Sequence, residues 1–133
     1  MKKIALFLGL LLGIFFSHES KAQSIFDKWA ELKAFHGVMS QTFHPSEKGD
    51  LAPIKARSGE MAEKALTLAA SKIPTEFRTP KIRKAIKKLK NKSRELDDYV
   101  KSAGATDAQI TEKLAALHDV FHTIVGLCRE ENH

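Results

Sequence analysis

The chain has 133 residues, which is one domain's worth, and a net charge of +6. Cys128 is its single cysteine, so no disulfide framework can hold it together. Basicity of this size usually raises the question of nucleic acid, and the N-terminus answers it by pointing elsewhere.

Met1, Lys2 and Lys3 form a positive opening, Ile4 to Phe16 is an almost unbroken apolar run, and a short polar stretch follows with small residues Ser20 and Ala22. This is the pattern of a secretory signal, with cleavage expected after Ala22. The apolar run is too short for a lasting transmembrane helix, which needs about 20 residues. Cleavage removes Lys2, Lys3, Lys21 and Glu19, leaving residues 23–133, 111 in all, with net charge +4. An exported domain, periplasmic or secreted, seldom meets nucleic acid, so its basicity points to acidic partners or membrane headgroups.

The first mature helix is expected over residues 24–44. Ile25, Trp29, Leu32, His36, Met39 and Phe43 recur at alternating spacings of four and three, the apolar seam of a bundle helix. Pro45 is expected to end it. A second helix spans residues 51–73, with Asp50 as N-cap, Pro53 in the first turn and Ile54, Ser58, Met61, Ala65 and Leu68 inward. Pro74 stops it. Thr79 then caps a third helix that opens on Pro80 and runs to about Ser102, with Ile82, Ile86, Leu89, Ser93, Leu96 and Val100 on one face. Gly104 is placed to close it in a left-handed cap. Thr106 and Gln109 read as the capping box of a fourth helix reaching about Arg129, with Ile110, Leu114, Leu117, Phe121, Ile124 and Cys128 inward. Four helices of about 20 residues joined by short loops predict an all-α, antiparallel up-down-up-down four-helix bundle.

The sharpest chemical signal lies on the fourth helix, where His118 and His122 are four residues apart. That spacing puts both imidazoles on one face a turn apart, the arrangement by which a helix chelates a transition metal. His36 falls on the inward seam of the first helix, where an imidazole must be hydrogen-bonded or ligated. In an antiparallel bundle, counting about 1.5 Å per residue puts His36 level with His118 and His122 one turn lower. Three imidazoles are then expected to converge. Met39 lies a turn above His36, Glu60 and Glu63 stand near that depth on the second helix, and His44 with Glu47 falls at the rim. Neutral imidazoles suit copper, zinc or nickel, and the Met39 thioether would favour copper in its reduced state. Cys128 lies on another side of the fourth helix and reads as a buried small hydrophobe, an intermolecular bridge or a ligand.

Haem is another occupant of such bundles. The helical architecture, with a cysteine near the end of the last helix within Gly126-Leu127-Cys128-Arg129, resembles the periplasmic four-helix cytochromes of the cytochrome c-prime class. That resemblance implies export and bundle shape. The chain departs from the class in having no Cys-x-x-Cys-His, so only a non-covalent haem, held by Met39 or His36 with His118 or His122, is compatible with it.

Lys81, Arg83, Lys84, Lys87, Lys88, Lys90, Lys92 and Arg94 crowd the third helix opposite its apolar face. They read as a solvated face or as a docking surface for an anionic partner or membrane. A second copy of the chain is a further candidate partner. Ser58 and Ser93 sit on helix seams with no strained turn to present a nucleophile, so the chain reads as a binding protein and not an enzyme. The expected function is an exported bundle that handles a copper, zinc or nickel ion through His36, His118 and His122, supported by His44 and Met39. A haem-binding electron carrier and a cofactor-free envelope interaction module are the alternatives.

Overall fold

In the computed structural model, residues 21–130 are described, with side chains from Ile25 onward. The expected signal segment, residues 1–22, lies outside them but for its last two positions. Every regular element among the described residues is helical. The order is α1 (Lys21–Lys28), α2 (Ala30–Glu47), α3 (Ala52–Ala70), a 3-10 turn (Thr75–Phe77), α4 (Pro80–Val100) and α5 (Asp107–Glu130). Each long helix packs along the next in sequence, and α5 also meets α2. The short α1 lies against α2 and α5. No described helix is long and apolar enough to cross a membrane.

The periodicities behind this are those of the sequence. All five expected inward residues of α3 are buried, as are Ile82, Ile86, Leu89, Ser93 and Leu96 of α4 and all six of α5. Thr79 caps α4 by accepting a hydrogen bond from the Ile82 amide at 3.2 Å. Thr106 does the same for the Gln109 amide at 3.2 Å. Its own amide, which a capping box would leave to Gln109, donates instead to the Tyr99 hydroxyl at 3.1 Å.

Three expectations are corrected. The single helix expected over residues 24–44 is two helices, because Trp29 leaves helical geometry at φ −135°, ψ 88°. Pro45 does not end α2, which runs on to Glu47. Lying in the last turn, the proline costs only one hydrogen bond, and its own carbonyl accepts from the amides of Lys48 and Asp50, both at 3.0 Å. Gly104 adopts no left-handed cap; Gly49 after α2 is the one described glycine with positive φ, at 82°. The chain leaves α4 through a right-handed turn in which Lys101 and Ser102 bond back to Asp97 and Tyr99.

Two buried serines on the seams behave differently. Ser58 donates to Asp97 Oδ1 at 2.8 Å, tying α3 to α4. Burial pushes the Asp97 carboxyl up, but hydrogen bonds from Lys101 and Ser58 outweigh it and hold the group below the usual carboxylate range. Ser93 is fully buried, and its hydroxyl finds no partner among the described residues. A buried hydroxyl left unmatched carries a desolvation penalty. Ser93→Ala is therefore expected to raise stability by about 1 kcal/mol, given also alanine's better helix propensity. A higher urea midpoint would bear this out, and a midpoint lowered by the same amount would refute it.

Candidate functional site

The helices α2 and α5 are held apart by aromatic side chains, and the gap between them is a cleft of about 170 Å³. Its lining includes His36, Met39, Phe43, His44, His118 and His122. Four of the chain's six histidines thus open onto one space.

The walls are stacked rings. Phe43 of α2 lies flat on His118 of α5, with centroids 3.7 Å apart and planes 11° from parallel. Further along the cleft, Phe121 stacks on His36 at 5.4 Å, and Phe26 of α1 joins them with its ring nearly parallel to both, 4.7 Å from His36 and 6.4 Å from Phe121. The kink at Trp29 is what brings Phe26 there. It turns α1 across the α2–α5 seam, and Ile25 and Trp29 anchor the turn by complete burial.

This fixes the register between α2 and α5. His118 is level with Phe43, about two turns beyond His36, and His36 is level with Phe121 and its neighbour His122. The expectation that His36 and His118 share a depth is therefore displaced by one to two turns. His36 is also half-buried and not on the fully buried seam, because α2 turns Leu32, Phe35, Val38, Met39, Thr42 and Ser46 inward after the kink.

The two histidines of α5 meet as their spacing requires. His118 Nε2 and His122 Nε2 are 3.0 Å apart, with the rings edge to face at 76°. Stacking against Phe43 fixes the His118 ring plane, so that its Nε2 edge is turned toward His122. One ring donates and the other accepts across this contact. His122 is exposed and His118 half-buried, so the pair stands at the cleft mouth. Met39 is buried to 1% exposure, deeper in the lining. His44 is on the rim, its Nδ1 3.3 Å from Glu47 Oε2.

Burial holds the His118 imidazole below its ordinary value, with repulsion from His122 adding to it; Asp119 and Glu47 oppose, and His44 contributes slightly in the same downward direction. His36 is lowered too, first by burial and then by His122 and His44. Both shifts favour the neutral imidazole, the form with a lone pair to give.

Several expected ligands do not join this group. Glu60 is taken by Arg57, with hydrogen bonds of 2.8 and 3.1 Å. Glu63 lies beside Leu66, Lys90 and Arg94 on the far side of α3. Cys128 is fully buried and is not part of the cleft lining. Among the described residues, no three His, Cys, Asp or Glu side chains gather into a ready-made ligand set. The expected convergence of three imidazoles is thus reduced to a close pair with two further histidines along the same cleft. Phe26 was not legible as part of the site, since its spacing from His36 places it usefully only once the chain is kinked at Trp29.

In comparisons with protein families, with curated proteins and with solved structures, the chain matches nothing at a significant level.

Proposed function

We propose that the protein is an exported, transition-metal-binding antiparallel four-helix bundle, whose metal-binding pair is His118 and His122. The 3.0 Å approach of their two Nε2 atoms carries the reading. Metal–imidazole bonds are about 2.0–2.1 Å long, so two such bonds ending 3.0 Å apart meet at roughly a right angle. Tetrahedral zinc would want the nitrogens about 3.3–3.4 Å apart at those bond lengths. Adjacent positions of a tetragonal copper(II) or nickel(II) ion span a similar distance, so a small turn of the rings lets the pair close on any of the three ions, and copper(II) binds nitrogen ligands most tightly of the series. The ion would take the place of the proton now shared between the rings. His36, His44 and Met39 line the same cleft and are the candidates to complete the shell, alongside water.

The bundle topology proposed here is supported by the contacts that join chain-distant ends. Trp29 at the start of α2 reaches Ser71 after the end of α3, and Ser58 near the start of α3 reaches Asp97 near the end of α4. Lys55 at the start of α3 pairs with Asp107 at the start of α5. Alternating helix directions satisfy all three.

Haem fits the cleft poorly. Its volume of about 170 Å³ is below the roughly 300 Å³ at which pockets for cofactor-sized ligands begin. The buried Cys128 offers no route to covalent attachment. An ion with a few waters matches both the space and the donor set.

Titration of the purified protein with copper(II), followed by removal of loose ions and elemental analysis, is expected to leave about one ion per chain. His118→Ala combined with His122→Ala is expected to reduce affinity at least 100-fold, with helix content by circular dichroism unchanged. Full uptake by that double variant would refute the assignment.

A further inference from the structure

The outer face of α4 has a charge distribution that the helix itself does not need. From Lys81 to Arg94 it carries eight cations and no carboxylate, and its acids, Glu95, Asp97 and Asp98, come only at the C-terminal end. Positive charge at a helix N-terminus opposes the macrodipole, and the first turn of α4 has no acidic residue to offset it. Ion pairs do not neutralise the face either. The ion pairs found involve Lys28, His44, Lys55, Arg57 and Lys101, and none of these eight cations has a carboxylate within 4.0 Å among the described residues.

The cations form two stripes. Arg83, Lys87 and Lys90 rim a shallow depression toward α3, where Ala69 and Ile73 also contribute to the lining. Lys81, Lys84 and Lys88 rim another toward α5, whose lining includes Ala85 and Leu127. Close to the first stripe, Leu66 stands 59% exposed in a depression it shares with Lys90, Arg94 and a single carboxylate, Glu63, which is within 4.0 Å of neither cation's nitrogens. It is the one large hydrophobic side chain so exposed among the described residues.

We propose that this face docks the protein on an anionic phospholipid surface. A broad, unneutralised cationic face meets the phosphates of many lipids at once, each cation near the surface adding to the attraction. An exposed leucine beside the cations, with apolar side chains flanking each stripe, suits the boundary between headgroups and acyl chains, where a protruding apolar side chain is stabilised and a wholly charged partner surface would leave it in water. The α2–α5 cleft is lined by neither α3 nor α4 residues, so docking through α4 leaves it open. Docking through α4 requires no bound metal ion.

The test is co-sedimentation of the full chain with vesicles of equal parts phosphatidylglycerol and phosphatidylcholine, compared with pure phosphatidylcholine, in low salt with EDTA present. Binding to the anionic vesicles only is expected. Combined Lys84→Glu, Lys87→Glu and Lys88→Glu should weaken it about 100-fold or more, taking each cation's contribution as close to a factor of five. These positions are exposed, and circular dichroism would verify that the variant is folded. Leu66→Ser is expected to weaken binding further at a salt concentration where the charge attraction is screened. Residues 1–22 are common to all the proteins compared, so the contrast isolates α4. Equal binding to both vesicle types, undiminished binding by the triple variant, or capture of polyglutamate with no vesicle binding would each overturn the proposal.

Discussion

Trp29→Ala is expected to lower stability by about 3–5 kcal/mol, the range for truncating a fully buried large aromatic. Trp29 is 1% exposed, stacks on the fully buried Phe77 with centroids 6.1 Å apart, and donates from Nε1 to Ser71 Oγ at 3.2 Å. It therefore joins the kink between α1 and α2 to two neighbouring places far along the chain, the end of α3 and the 3-10 turn leading to α4. The net stability of a domain is about 5–15 kcal/mol, so this one loss is a large fraction of the whole. In urea the midpoint should fall by about 2 M, for a slope of 1–3 kcal/mol per molar. Trp29→Phe keeps most of the buried area and loses the hydrogen bond, and should cost only about 1–2 kcal/mol. A loss below 1 kcal/mol for the alanine variant would show that the kink is not held by this side chain. Because Trp29 is the only tryptophan, its fluorescence reports on the wild-type junction, and circular dichroism must serve for the variant.

The same residue marks the boundary of what could be read from the sequence. Three of the four helical seams follow directly from apolar spacing, and their interior ends follow from Thr79, Pro80 and Thr106. These are local signals, and the structure agrees with them. Trp29 also fits its seam, as the second apolar position after Ile25. Spacing says only that it is inward; it does not say that burying so large a ring against Phe77 bends the backbone out of the helix. Phe35 and Thr42, rather than His36 and Phe43, come to occupy the most buried line of α2 as a result. The His118–His122 contact was legible because both ends lie on one helix, whose rise and twist fix their separation. The relation of His36 to that pair depends on how α2 and α5 slide past each other. That offset is set by which rings stack, Phe43 on His118 and Phe121 on His36, and periodicity carries no information about it. The charge on α4 was equally plain in the sequence, while its lack of ion-pair partners and the exposed Leu66 beside it required the packing of α3 against α4.

Metal affinity is expected to fall as the solution is made acid, because protons compete with the ion for the imidazole nitrogens. The sign follows from the ligands, since only a neutral imidazole has a lone pair for the ion. The position of the fall follows from the cleft. Burial, and then the nearby His122, hold His118 below the ordinary imidazole value of about 6.5. The folded protein therefore keeps this ligand unprotonated to lower pH than an ordinary imidazole, and uptake should persist to correspondingly lower pH before it is lost. The stability of the metal-free protein should move in the same direction. In the unfolded chain His36 and His118 take up protons near pH 6.5, while in the folded chain both resist protonation to lower values. The unfolded state then binds more protons, so stability is full above about 6.5 and declines as the pH falls toward the folded values. Copper(II) at 100 times its dissociation constant should add about 2.7 kcal/mol at pH 7.5, read as a rise in the melting temperature. That rise should shrink as the pH is lowered and should be absent at every pH in the His118→Ala, His122→Ala protein. An affinity unchanged between pH 8 and pH 5 would mean that the ion is held by groups other than these imidazoles.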